Sequence, residues 1–229
     1  MEIDGERIVS ACVLVDAADG EAEADTALVE LVELVRVDPG AALAHAVRIC
    51  RAVAAEEERW LTDFDALVVA LRRIDPSWLA VVIDLVPSEK ALWDTVNWAL
   101  RSTDDERRLI VDRLGVGLLS ETWLADSSAP DQYSWASSLL GDIEEWADED
   151  LHRSILLRLI ADADDEQIWH VAAAPLEDFI NDDPERLLWV EQRAATDPRF
   201  RLALTGVWTS GKSDEVAQRV DRARNSVQN

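Results

Sequence analysis

Apolar residues recur along this chain at three- and four-residue spacings, the period of one helix face. Leu28, Leu31, Val32 and Val35 form such a stripe within a helix predicted over 23–37, with Glu30 and Glu33 facing outward. Leu43, Ala46, Val47, Cys50 and Val53 form the next stripe. Leu92, Val96, Ala99 and Leu100 mark a helix over 89–101, and another covers 104–114 before a Gly115/Gly117 break. Ile155, Leu156, Leu159 and Ile160 share a face over 151–161, and residues 198–208 also read as helix. Val216, Val220, Ala223 and Val227 line a tail helix from Ser213 with a basic outer face. Residues 8–15 fit a helical stripe better than a strand, although Val13-Leu14-Val15 alone suits either. Strand signals are scarce, and no Asn-Gly or Asp-Gly turn is flanked by alternating residues. The pattern predicts an all-α fold, an array of antiparallel helix pairs, either a HEAT-like solenoid or a compact helical stack.

The punctuation is as regular as the stripes. Asp-Pro occurs at 38–39, 75–76, 183–184 and 197–198. Proline is excluded from a helix interior but suits the first turn, and an aspartate before it can accept the unpaired N–H groups there. Each Asp-Pro therefore closes one helix and opens the next. Residues 57–86 align with 166–195, Trp60 meeting Trp169 and Asp75-Pro76 meeting Asp183-Pro184, as a duplicated helix pair would. One domain over 1–229 is expected, with a sub-boundary near 126–131 (DSSAPD).

Charge sharpens this picture. Forty-seven acids against 22 bases give a net charge of −25. Such a chain repels nucleic acid and anionic membranes, so an electrostatically steered partner is a basic protein. The imbalance is local: 121–180 carries 15 acids and 2 bases, whereas 181–229 carries 8 of each. Twenty of the bases are arginine, which with the Ala, Val and Asp content points to a GC-rich bacterial source. Cys12 and Cys50 form no CxxC pair and read as buried thiols in a reducing compartment. The N-terminus lacks the basic region of a signal peptide, and no segment has the length and apolarity of a membrane span. A cytoplasmic location is expected.

Candidate chemistry is sparse. Gly206 to Ser213 (GVWTSGKS) satisfies the phosphate-loop pattern, in which Gly206, Gly211, Lys212 and Ser213 would cradle a nucleotide. A nucleotide-binding sheet needs strands after this loop, and only a short tail follows. A helix end with a glycine turn fits better. His45, His152 and His170 are isolated from one another and from the cysteines, so no metal or nucleophile arrangement emerges. Asp162, Asp164 and Glu166 alternate as in a calcium loop, but the glycine and distal glutamate of that loop are missing. Neither a catalytic residue nor a cofactor is implied.

The ten tryptophans mostly occupy positions expected at helix interfaces (Trp60, Trp93, Trp98, Trp169, Trp189, Trp208). Trp135 and Trp146 differ, because they flank the acidic segment. An aromatic within an acidic face suits a binding hot spot. The expected partner-binding residues are Trp135, Asp142, Glu144, Glu145, Trp146, Asp148, Glu149, Asp150, Asp162, Asp164, Asp165 and Glu166.

The C-terminal region resembles a family of uncharacterised bacterial helical proteins. The resemblance rests on Ala173, Pro175, Leu176, Glu177, Asp178, Ala194, Asp197, Pro198, Phe200, Arg201, Ala203, Leu204, Gly206, Val207 and Trp208. The family pattern is A-G-P-L-E-D-L-L, then D-P-x-F-R-x-A-L-x-G-V-W, and Ala174 departs from its glycine. The resemblance implies that Gly206 to Trp208 ends a packed helix, and it implies no activity. The leading expectation is a non-enzymatic, acidic protein-interaction module, of the kind that serves as an immunity or antitoxin-like inhibitor of a basic effector. A nucleotide-binding enzyme using 206–213 and a repeat scaffold with no dedicated acidic partner are the alternatives.

Overall fold

The structure is a computed structural model and describes residues 5–16, 21–54, 65–88, 104–127, 135–145 and 149–226. The expectations for the helix over 89–101, for Trp60, Trp93, Trp98, Trp146 and Asp148, and for Val227 lie outside these residues. All regular structure among the described residues is helical. The ambiguous N-terminal segment is helix, Gly5–Asp16.

The chain divides into two compact units, Met1–Leu114 and Gly115–Asn229. The division falls within the helical run α6 (Asp104–Ser127), where Gly115 adopts φ 77° and ψ 146°. That backbone region is open to glycine and strained for other residues. Of the expected 126–131 linker, Asp126 and Ser127 are helical and the remainder lies outside the described residues.

In the first unit α1 (Gly5–Asp16) packs on α2 (Glu21–Arg36), and α2 packs on α4 (Asp65–Ile74). Ile8, Ala11 and Cys12 of α1 face Leu28, Leu31, Val32 and Val35 of α2, all buried. The helix α3 (Pro39–Ala54) buries Ala42, Leu43, Ala46 and Val47, and α5 (Ser77–Leu85) buries Leu79, Val82 and Ile83. Burying each such aliphatic side chain stabilises by about 1.5–3 kcal/mol before entropy is counted.

The Asp-Pro pairs act as the sequence predicts. Asp38 Oδ1 accepts the Ala41 N–H, and Asp75 Oδ1 accepts the Ser77 N–H. Asp183 Oδ1 accepts from Glu185, and Asp197 Oδ1 accepts from both Arg199 and Phe200.

In the second unit the run 115–127 is followed by α7 (Trp135–Glu145), α8 (Glu149–Asp162) and α9 (Gln167–Val171). A π-helical turn, Ala172–Leu176, leads from α9 into α10 (Glu177–Phe179). Pro175 explains the π turn: it has no N–H for the expected i−4 bond, and its ring crowds the preceding carbonyl, so the helix widens locally. Then come α11 (Pro184–Thr196), α12 (Pro198–Leu204) and α13 (Asp214–Arg224). The core of this unit holds an edge-to-face chain of rings from His152 to Phe179 (5.0 Å), Trp189 (5.2 Å) and Phe200 (5.4 Å).

Candidate functional site

The acidic residues singled out by sequence divide by the work they do. Glu149 pairs with Arg186, whose guanidinium also donates to the Phe179 carbonyl and lies 4.9 Å over the Phe179 ring. Asp162 pairs with Arg158 on its own helix. Asp164 Oδ1 accepts the N–H groups of Glu166 and Gln167, while Gln167 Oε1 accepts the Asp164 N–H. That reciprocal pair is a capping box for α9. The backbone donors hold the Asp164 carboxyl below its usual range. Glu149, Asp162 and Asp164 are therefore structural. Asp150 lies 3.8 Å from Arg153 but keeps a side chain that is 97% exposed, and the exposed Asp165 and Glu166 present their charge to solvent. Asp142 sits half-buried in α7, and the side chains of Glu144 and Glu145 lie outside the described residues.

Trp135 is a correction. It is 1% exposed, packed with Ala136, Leu139 and Ile143 on the inner face of α7, and no surface anchor. The reverse correction applies to Trp169 and Trp208, which were expected at helix interfaces. They are 47% and 74% exposed.

Basic side chains of this unit turn inward onto the carbonyls that helix C-termini leave without N–H partners. Arg199 donates to the Ile160 and Ala163 carbonyls at the end of α8. Arg201 donates to Ala194 near the end of α11, and Arg224 to Leu204 and Val207 at the end of α12. Lys212 Nζ donates to Glu177 O (2.9 Å) and Ile180 O (2.7 Å), closing α10. Arg219 makes a bidentate pair with Glu191 at 2.7–2.8 Å. The near-neutral composition of 181–229 thus conceals a polarity: many of its cations point into the fold.

The phosphate-loop-like segment is part of the same scheme. Gly206 follows α12, and its N–H donates to the Ala203 carbonyl. A Cβ there would lie 2.7 Å from Trp169 Cε3 and 2.8 Å from Ala172 Cβ, so glycine is required by space. Gly211 has φ 95°, a turn conformation that favours glycine. Ser213 caps α13 by accepting the Val216 N–H, and its hydroxyl donates to Asp182. A cleft of about 330 Å³ lies here, lined by Asp178, Asn181, Asp182, Lys212 and Ser213 among others. Burial, and then the neighbouring Glu177, raise the Asp178 carboxyl above its usual range, with Lys212 opposing. Two aspartates line this cleft, and Lys212 is held on carbonyls. Both features disfavour a polyphosphate, and the volume sits at the small end of ligand sites.

Gly206 lies against the Trp169 ring, and Trp208 follows Gly206 by two residues. The Trp208 N–H donates to Glu177 Oε2 at 2.9 Å, which ties the segment after α12 to α10. Val207, between the two contacts, is 3% exposed. Ala173 and Ala174 are the exposed residues between His170 and Glu177. No group of three or more His, Cys, Asp or Glu among the described residues is arranged to hold a metal. No helix among them is long and apolar enough to cross a membrane.

Residues 124–227 match the model of a family of unknown function, DUF6869. The match covers the C-terminal region in which the sequence resemblance lies. No curated protein and no solved structure matches the chain.

Proposed function

We propose from the side chains that the chain is a non-enzymatic module that binds a basic protein; the family model that residues 124–227 match is of unknown function and brings no activity with it. The observation that carries this reading is the inward engagement of Arg199, Arg201, Lys212 and Arg224 on helix carbonyls. Those side chains do not cover the exposed Asp165 and Glu166, and Asp150 stays 97% exposed although Arg153 lies 3.8 Å away, in a chain of net charge −25. A surface of that kind steers cationic partners and rejects nucleic acid and anionic lipid. Its chemistry suits an immunity or antitoxin-like inhibitor that occludes the basic working surface of an effector in the cytoplasm.

Charge reversal tests the reading. Asp150→Lys, Asp165→Lys and Glu166→Lys combined break one exposed pair within a helix, Asp150–Arg153, and alter neither a side-chain cap nor an inter-helix ion pair. The combined variant is expected to weaken association with the basic partner and to flatten its salt dependence. Unchanged affinity with an unchanged salt slope sinks the reading.

A further inference from the structure

We infer that the face carrying Trp169 and Trp208 is the docking surface for an arginine- or lysine-rich segment of another protein. The inference rests on the proposed function and names the surface that performs it.

Two indoles at 47% and 74% exposure leave much of their apolar area in water. Burying that area against a partner recovers the transfer free energy the fold leaves unused. Leu202, one helical turn before Gly206, adds a further 42%-exposed apolar side chain. The patch is also held in place. The Gly206 backbone rests against the Trp169 ring and Ala172, Val207 is buried beside it, and Glu177 fixes the Trp208 N–H. A partner therefore meets aromatic side chains on an ordered backbone, with little left to order on binding.

Charge selects the occupant. Asp165 and Glu166 precede Trp169 by about one helical turn, and Glu177 and Asp178 lie beyond the two alanines. Over 164–180 the chain carries five acids, and His170 is its one basic residue. Arg199 and Lys212, seated on helix carbonyls, also offset Asp164 and Asp178, so the charge offered to a partner beside Trp169 is that of the exposed Asp165 and Glu166. Indole faces attract guanidinium and ammonium groups through the ring quadrupole, and carboxylates at the margins supply the counter-charge. A neutral occupant gains only from burying the indoles, and an anionic one is repelled by the carboxylates.

The test uses the full chain, with hexaarginine and hexaglutamate peptides as probes in isothermal titration at low and moderate salt. Hexaarginine is expected to bind and hexaglutamate to show no heat. Trp208→Ala removes a side chain that is 74% exposed and keeps the backbone N–H that donates to Glu177. It should keep the wild-type melting temperature while weakening hexaarginine by about tenfold, and Trp208→Phe should restore part of the loss. Hexaarginine affinity within about twofold of wild type in both Trp208→Ala and Trp169→Ala overturns the inference. If the charge-reversed variant still loses binding in that case, the basic-partner reading stands and the docking face lies elsewhere. If hexaarginine fails to bind the wild type, both fall. Sedimentation that shows a dimer abolished by Trp208→Ala, with peptide binding intact, assigns the face to a second copy and also overturns the inference.

Discussion

Gly206→Ala probes the contact that turns a phosphate-loop-like sequence into a packed helix end. The new methyl would sit 2.7 Å from Trp169 Cε3 and 2.8 Å from Ala172 Cβ. Carbon atoms settle near about 3.5–4.0 Å, so each neighbour must withdraw by close to an ångström. Trp169 is half-exposed and can swing outward. Ala172 cannot: it is 0% exposed, and its Cβ is carried directly by the π-helical backbone that Pro175 imposes. Overpacking of this kind costs about 1–3 kcal/mol. Backbone strain adds nothing, because Gly206 is not among the glycines of positive φ. For a unit of this size each kcal/mol lowers Tm by about 3–6 °C. Far-UV circular dichroism during heating reads the shift. Gly141→Ala is the control: no atom lies within 4 Å of its Cβ, it occupies a helix interior, and alanine there should stabilise by about 0.5–1 kcal/mol. Adding Trp169→Ala to Gly206→Ala should recover part of the loss and leave the share due to Ala172. A Gly206→Ala protein that melts within about a degree of wild type would refute the close approach.

Three further outcomes follow from the geometry. His152, 2% exposed, has its pKa lowered from 6.5 to about 4, by burial first, then by Arg186, with Glu149 opposing. The neutral form is the folded form, so its stability is complete above pH 6.5 and declines as pH falls toward 4. The full loss approaches about 3 kcal/mol; His152→Leu should flatten urea-unfolding stability across that window, and an unchanged slope counts against the assignment. Lys212→Met removes the donor to Glu177 and Ile180 and should cost about 1–3 kcal/mol in urea unfolding, while wild type shows no heat with ATP and Mg²⁺; saturable nucleotide binding lost in this variant would restore the phosphate-loop reading. Glu177→Gln keeps an acceptor for the Trp208 N–H and should change stability by no more than about 0.5 kcal/mol, yet lower affinity for hexaarginine; equal affinity would remove Glu177 from the docking rim.

Fold class was legible because its signals are local. The stripes of α2, α8 and α13 lie in short windows, and each Asp-Pro carries its own cap. The capping box Asp164–Gln167 was legible in principle, since an aspartate followed three residues later by glutamine has the right spacing. The calcium-like alternation of Asp162, Asp164 and Glu166 overlies it in the sequence. Trp135 was misplaced although Leu139 and Ile143 follow it at four-residue steps: the acids next to it in sequence say nothing about the face it occupies. Trp169 and Trp208 were misplaced for a deeper reason. Their exposure depends on Gly206 meeting Ala172 and on Glu177 holding the Trp208 amide, contacts set by tertiary packing. The inward arginines were hidden likewise, because whether a cation meets a helix carbonyl or solvent depends on where the next helix ends.

The most direct test of the central claim is affinity capture from the native host with three baits: the wild-type chain, the Asp150→Lys/Asp165→Lys/Glu166→Lys variant and Trp208→Ala, each bound partner being identified by mass spectrometry and re-measured pure by titration. The account predicts a basic partner held by wild type, released by rising salt, and weakened by both variants. A partner that is acidic, or that binds all three baits with equal affinity at every salt concentration, contradicts it.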